Sequence, residues 1–184
     1  MPTIKLLDGP EGLTLAETKA HLRVDHDSED ALIQTYISAC RGAAEAVTGR
    51  AITVAQYRLV LPAFPEGPID LSFPPLVSIQ SLKYFSPAGL QVTMLTQDYL
   101  VDTVSEPARL SPLPGLDWPE VQERVNAVEV NFTAGYSQVP ADIKAWMLLA
   151  VTELYERRGL SSDKAAITLD MADGLLDRYK IWDL

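Results

Sequence analysis

The sequence predicts an α+β fold, in which a helical core of two long amphipathic helices plus short helices carries an inserted antiparallel β-rich region. Three observations predict it. Apolar residues recur at three- and four-residue steps on both sides of a central region, the central region alternates apolar and polar side chains, and prolines cut it into short pieces. The boundaries read as helical 14–49 and 139–158, β-rich 51–134 and a C-terminal tail 160–184, within one domain of 184 residues. With 47% hydrophobic residues, a chain of this length buries about two-thirds of its unfolded surface, enough for a core without metals or disulfides.

The first helix starts at Thr14, whose hydroxyl suits an N-cap, with Glu17 three positions on as the second half of a capping box; it runs to Leu22. A longer helix follows Asp27 or Ser28 as cap, with Glu29 and Asp30 at its positive start. Its apolar stripe is Leu32, Ile33, Tyr36, Ile37, Cys40, Ala44 and Val47, and Gly49 ends it. From Ile52 the period changes. Tyr57, Leu59 and Leu61 alternate with Gln56, Arg58 and Val60, and further strands are expected at 69–73, 77–85, 99–102 and 125–133. In the last, Val128, Val130 and Phe132 face a core and Glu129, Asn131 and Thr133 face water. Residues 111–123, with Pro112, Pro114, Gly115, Trp118 and Pro119, read as a long loop able to carry a contact surface.

Pro140 opens a third helix, where its missing amide hydrogen costs nothing. The stripe there is Ile143, Trp146, Met147, Ala150, Val151, Leu154 and Tyr155. Glu153 is placed to pair with Arg157, and Gly159 to stop the helix. Arg157 and Arg158 admit an anion-binding reading, but pairing and complementation of the helix dipole explain them more simply. Beyond Ser161–Asp163 the tail carries Leu169, Leu175, Leu176, Tyr179 and Trp182, with a break at Gly174. Residues 165–184, above all Leu175, Leu176, Tyr179 and Trp182, are expected to meet a neighbouring subunit or the portal, the alternative being docking onto their own core.

Chemistry-bearing motifs are scarce. No glycine-rich phosphate loop and no nucleophile elbow occurs, and Cys40, the single cysteine, lies on an apolar helix stripe. The acidic run Asp25–Asp30 around His26 fails the calcium-loop template: Asp30 stands where glycine must turn and Tyr36 where a bidentate glutamate belongs. It reads as a helix start with solvated carboxylates. Asp98 and Asp102 on one strand would sit about 13 Å apart, too far for joint acid-base work. No catalytic residue, metal ligand or cofactor is therefore assigned, and no enzymatic activity is expected. Met1–Lys5 lacks the basic and apolar regions of a secretory signal, and no apolar run approaches the length of a membrane span.

Net charge is −10, from 15 basic and 25 acidic residues. The excess is spread along the chain, so the concentrated basic surface of a nucleic-acid binder is absent.

The order of features, with the residues that carry it, resembles the head-tail connector or adaptor proteins of tailed phages, prophages and gene-transfer particles. The resemblance runs through Leu15–Asp25, the helix ending Ala43–Arg50, Phe73–Ile79, Thr133–Tyr136, and Val139–Lys144 leading to Leu154–Arg158. It implies a structural subunit that joins a ring of about a dozen copies between portal and tail, made in the host cytoplasm and carried into the virion. Its partners would be further copies of itself, the portal, and a tail or stopper protein, without tight nucleic-acid or membrane binding. Two other functions remain: a tail-completion or stopper protein of the same particle, and a small-molecule-binding or enzymatic domain using a pocket between the sheet and the Trp146 helix.

Overall fold

A computed structural model describes residues 3–157 and 170–181. The elements in chain order are β1 (Thr3–Asp8), α1 (Leu15–Leu22), α2 (Asp30–Thr48), β2 (Ala55–Leu61), β3 (Ile69–Leu71), β4 (Leu76–Phe85), β5 (Gln91–Met94), β6 (Tyr99–Asp102), β7 (Ala108–Pro112), β8 (Val128–Ala134), α3 (Ala141–Arg157) and α4 (Asp170–Asp177). Every strand pair is antiparallel, which makes the fold α+β. The chain forms two compact units, a β-rich one of residues 1–10 with 54–135 and a helical one of residues 11–53 with 136–184.

In the helical unit, Thr14 caps α1 as its position predicts, its Oγ1 accepting from the Glu17 amide at 3.2 Å. The Glu17 carboxylate pairs with Lys144 at 2.6 Å and also accepts from the Thr14 backbone amide, the reciprocal half of the box; both hold its pKa below the ordinary value. Helix α2 starts later than Asp27 or Ser28 would place it, with Glu29 in the cap position and no side-chain cap. The Asp27 carboxylate is engaged by Lys19 instead.

The buried line of α2 is Ile33, Ile37, Cys40, Ala44 and Thr48, while Val47, expected in the stripe, is 43% exposed. At 3.6 residues per turn the line from Ile33 reaches Thr48 rather than Val47. The Thr48 hydroxyl tolerates burial because it donates to the Ala44 carbonyl at 2.7 Å. Gly49 then closes the helix at φ 70°, in the left-handed region that costs glycine little.

Helix α3 begins one residue after Pro140, whose carbonyl accepts from the Lys144 amide at 3.0 Å. Ile143, Trp146, Met147, Ala150 and Val151 are buried against α2; Leu154, expected to join them, is 41% exposed. Arg157 pairs with Glu153, and the Tyr155 hydroxyl donates to the Glu29 carboxylate. Helix α4 runs through Gly174 without the break expected there. Arg158, Gly159, Leu169 and Trp182 lie outside the described residues.

The β-rich unit holds a five-stranded sheet in the order β1-β2-β8-β4-β5 and a three-stranded sheet β3-β7-β6. Strands β2 and β8 oppose one another residue for residue: Tyr57 faces Phe132, Leu59 faces Val130 and Leu61 faces Val128. Val128, Val130, Phe132 and Ala134 are buried, and the residues between them are half-buried, as the alternation predicts. Tyr57 stacks on both Phe73 and Phe132, with centroids 5.2 and 5.6 Å away. On the wetter face Arg58 donates to Asn131 at 3.2 Å, and the Asn131 amide donates on to Ser81 at 3.2 Å and Glu129 at 2.7 Å. This polar line crosses β2, β8 and β4.

Two expected strands are shorter than their sequence pattern. Phe73 takes φ 65° and Asn126 φ 57°, neither compatible with a strand, so pairing stops at Leu71 in β3 and begins at Val128 in β8. Strands β1, β5 and β7 carry no alternation long enough to announce them.

Candidate functional site

The acidic run opens α2 as a helix start with surface carboxylates, as expected, and two of them share one lysine. Lys19, from the last turn of α1, places its Nζ 2.6 Å from Asp27 and 2.7 Å from Asp30. These hydrogen bonds hold the Asp27 carboxyl below its ordinary value and lift the Lys19 ammonium above its own. His26 Nδ1 lies 2.8 Å from the Ser28 hydroxyl. The arrangement fastens the link between α1 and α2. Among the described residues no group of three potential ligands is gathered to hold a metal ion.

The other titratable candidates are also accounted for. The Asp102 carboxylate accepts from the Ser105 hydroxyl at 2.6 Å and from the Val104 and Ser105 amides at 2.8 and 3.2 Å. Those bonds depress its pKa and make it a turn-former at the end of β6. Asp98 sits in the preceding short 3-10 turn, outside β6. Cys40 is buried in the helical core, and burial pushes its thiol up to about 11, so it is a packing residue rather than a nucleophile.

The tail residues expected at an interface are placed in the core of their own unit. Leu176 is fully buried and Tyr179 nearly so, both packing with Ile37, Trp146 and their neighbours, while Leu175 is partly buried against the same cluster. Two bonds tie this segment to the end of α2. Arg50 Nε donates to the Tyr179 carbonyl at 2.6 Å, and the Ile181 amide donates to the Thr48 carbonyl at 3.1 Å. Leu176 and Tyr179 thus pack in the core of their own unit. Trp182, the fourth expected contact, lies outside the described residues.

Trp118, expected on a contact surface, lies half-buried on the loop after β7. Its ring stacks on Phe64 with centroids 4.8 Å apart and planes 6° from parallel, and its indole N–H donates to the Gly67 carbonyl at 2.9 Å. The same unit exposes large apolar side chains to a degree that the alternation did not reveal. Val77, Leu90, Leu95, Leu100, Val101, Val104, Leu116 and Val125 are all exposed; in the helical unit, among the described residues, only Val47, Leu149 and Leu154 are. On β6, an edge strand, Leu100 and Val101 point to opposite faces and neither is covered. Large apolar side chains exposed on an edge strand are a candidate contact surface for another chain. No helix among the described residues is long and apolar enough to cross a membrane.

Comparison with known proteins bears on this surface. Residues 13–83, which span α1, α2, β2, β3 and most of β4, match the sequence profile of the family described as phage gp6-like head-tail connector protein. A search of curated proteins finds no match. Among solved structures, a chain in the virion of the native gene transfer agent (GTA) particle is similar with a TM-score of 0.84 and 23% identity, over 99% of this chain and 97% of that one. A chain in the neck of the empty GTA particle, computed with C6 symmetry, is similar at 0.82 and 24% identity over the same shares. A chain in the neck of the native particle, computed with C12 symmetry, is similar at 0.70 and 23%, over 97% of each. The fold is therefore shared over the full length, beyond the region that the family profile matches.

Proposed function

We infer that this chain, a head-tail connector protein by the pattern of its residues 13–83, is a structural subunit of a tailed phage, prophage or gene-transfer particle. It works as a ring of about a dozen copies between portal and tail, and it catalyses no reaction. The observation that carries this is the family match over α1, α2 and the first strands of the sheet. The full-length likeness to chains of particle necks computed with six- and twelvefold symmetry supports it. Portal and tail or stopper proteins are the partners, and the protein passes from the host cytoplasm into the virion.

The physical features are consistent with that role. A ring is closed by a heterologous interface, in which one patch of each copy meets a different patch of the next. The exposed apolar side chains of the β-rich unit offer such a patch. A net charge of −10 gives the ring an acidic character that repels a phosphate backbone, so the genome slides through without adhering.

The test is particle assembly. Particles made without this protein are expected to fill their heads and fail to join tails, and added protein restores joining. Electron microscopy of the protein mixed with purified portal should show a second ring on the portal. Tailed particles formed normally in its absence would sink the connector reading. Duplex binding by the assembled ring at physiological salt would sink the repulsive-channel reading alone.

A further inference from the structure

The β-rich unit contains a preformed groove that the connector role does not by itself explain. Its wall is the Phe64–Trp118 stack, whose two rings come from loops distant in sequence. The stack is fixed from several sides. The Trp118 indole is held by the Gly67 carbonyl at 2.9 Å, and the Tyr84 ring meets Phe64 edge-on at 5.7 Å. Pro65 and Pro119 fix the backbone φ next to each ring. Against this wall lies a cavity of about 380 Å³, within the range of small-ligand sites.

Glu66, Asp117 and Glu120 also line the cavity, and all three are exposed. None of them makes an ion pair or hydrogen bond among the described residues. Elsewhere in the unit Asp70 is paired with Arg109, Glu129 with Arg58, and Asp102 is wrapped by its own turn; Asp98 and Glu123, also without an ion pair among the described residues, do not line this cavity. The basic residues of 54–135, Arg58, Lys83, Arg109 and Arg124, lie outside the cavity lining. Three carboxylates beside an aromatic face thus have no counter-charge paired with them among the described residues.

We propose that this groove docks an arginine-bearing segment of a partner protein. A guanidinium is planar, stacks on aromatic faces and bonds carboxylates in its plane, so it meets both halves of the groove at once. The same carboxylates repel phosphate, which excludes nucleic acid. Because the stack is already locked, little ordering is needed on binding. The proposal goes beyond the connector reading, and its test needs neither portal nor ring, so the two fail separately.

The full-length chain is titrated with the peptide acetyl-Gly-Arg-Gly-amide, following the Trp118 indole N–H resonance. A saturable shift is expected at millimolar peptide, weakening with added salt, and lost with the citrulline peptide, which keeps the shape and removes the charge. The triple variant Glu66→Gln/Asp117→Asn/Glu120→Gln should bind about tenfold more weakly, because the exposed ion pairs it removes are together worth about that factor. Trp118→Leu should abolish the shift in affinity read by calorimetry; the triple variant, which leaves the stack untouched, carries the test should Trp118→Leu misfold. An indole resonance unmoved by the arginine peptide, equal binding of citrulline, or undiminished binding by the triple variant overturns the proposal. Self-association lost in the triple variant but not competed by the peptide assigns the groove to a second copy of the chain and overturns it too.

Discussion

Truncating Leu176 to alanine tests where the C-terminal segment belongs. In the structure Leu176 is fully buried in the helical unit, among Ile37, Trp146, Met147 and Tyr179. The change removes three carbons from that core, about 2.4 kcal/mol of transfer free energy at roughly 0.8 kcal/mol per buried methylene. The incompletely collapsed cavity adds to it, giving about 3 kcal/mol, inside the usual range of about 2–5 kcal/mol for such truncations. For a chain of this size that is a fall of about 10 °C in Tm. Urea unfolding of the isolated protein is the assay, and the midpoint should drop with little change in slope. Leu149→Ala on the exposed side of α3 is the control, expected within about 0.5 kcal/mol of wild type. A Leu176→Ala protein that unfolds at the wild-type midpoint yet no longer assembles on the portal would refute the reasoning, since the segment would then belong to a partner's surface.

Further outcomes follow from single contacts. Cys40, with its thiol raised to about 11 by burial, should resist a thiol reagent at pH 8 in the native protein and react promptly once the chain is unfolded; fast native labelling would show that the core of α2 opens. Lys19→Met should return the Asp27 pKa, read by NMR, to its ordinary value near 3.8. The stability difference between wild type and Lys19→Met should be present above that value, fade as pH falls through the depressed native pKa of Asp27, and fade again as pH rises through the raised pKa of Lys19 above 10.5. Gly49→Ala should cost about 1–2 kcal/mol, because the left-handed φ of 70° is strained for any residue with a Cβ; an unchanged melting curve would show that the end of α2 can relax.

The helices were the most legible part of the chain because their signal is local. Thr14, the line from Ile33 to Ala44, Gly49 and the stripe from Ile143 to Val151 each declare themselves within a few turns. Errors came at the margins, where a neighbour distant in sequence decides. Val47 and Leu154 fit a generous stripe, yet the partner helices cover a narrower arc. Asp27 looked like a cap until Lys19 reached across from α1 to take its carboxylate. The tail looked unpartnered in sequence because the groups that hold it, Arg50 and the Thr48 carbonyl, lie about 130 residues earlier.

The β-rich unit was less legible for the same reason carried further. A strand such as β1 is defined by its register with β2, Thr3 opposite Val60, and nothing in the first residues alone encodes that pairing. The groove shows both sides of this limit. Trp118 stands out in a proline-rich loop of the sequence, and the structure gives it a place within its own unit, against Phe64 and the Gly67 carbonyl. What the groove recognises was not readable, because Phe64 and Glu66 come from the loop after β2 and meet Asp117, Trp118 and Glu120 only when the sheets are paired. A site of this kind has no motif. Its specificity lies in which unpaired charges the fold leaves beside which ring, so it becomes visible only once the ion pairs of the surrounding surface, Asp70 with Arg109 and Glu129 with Arg58, show which carboxylates remain without one.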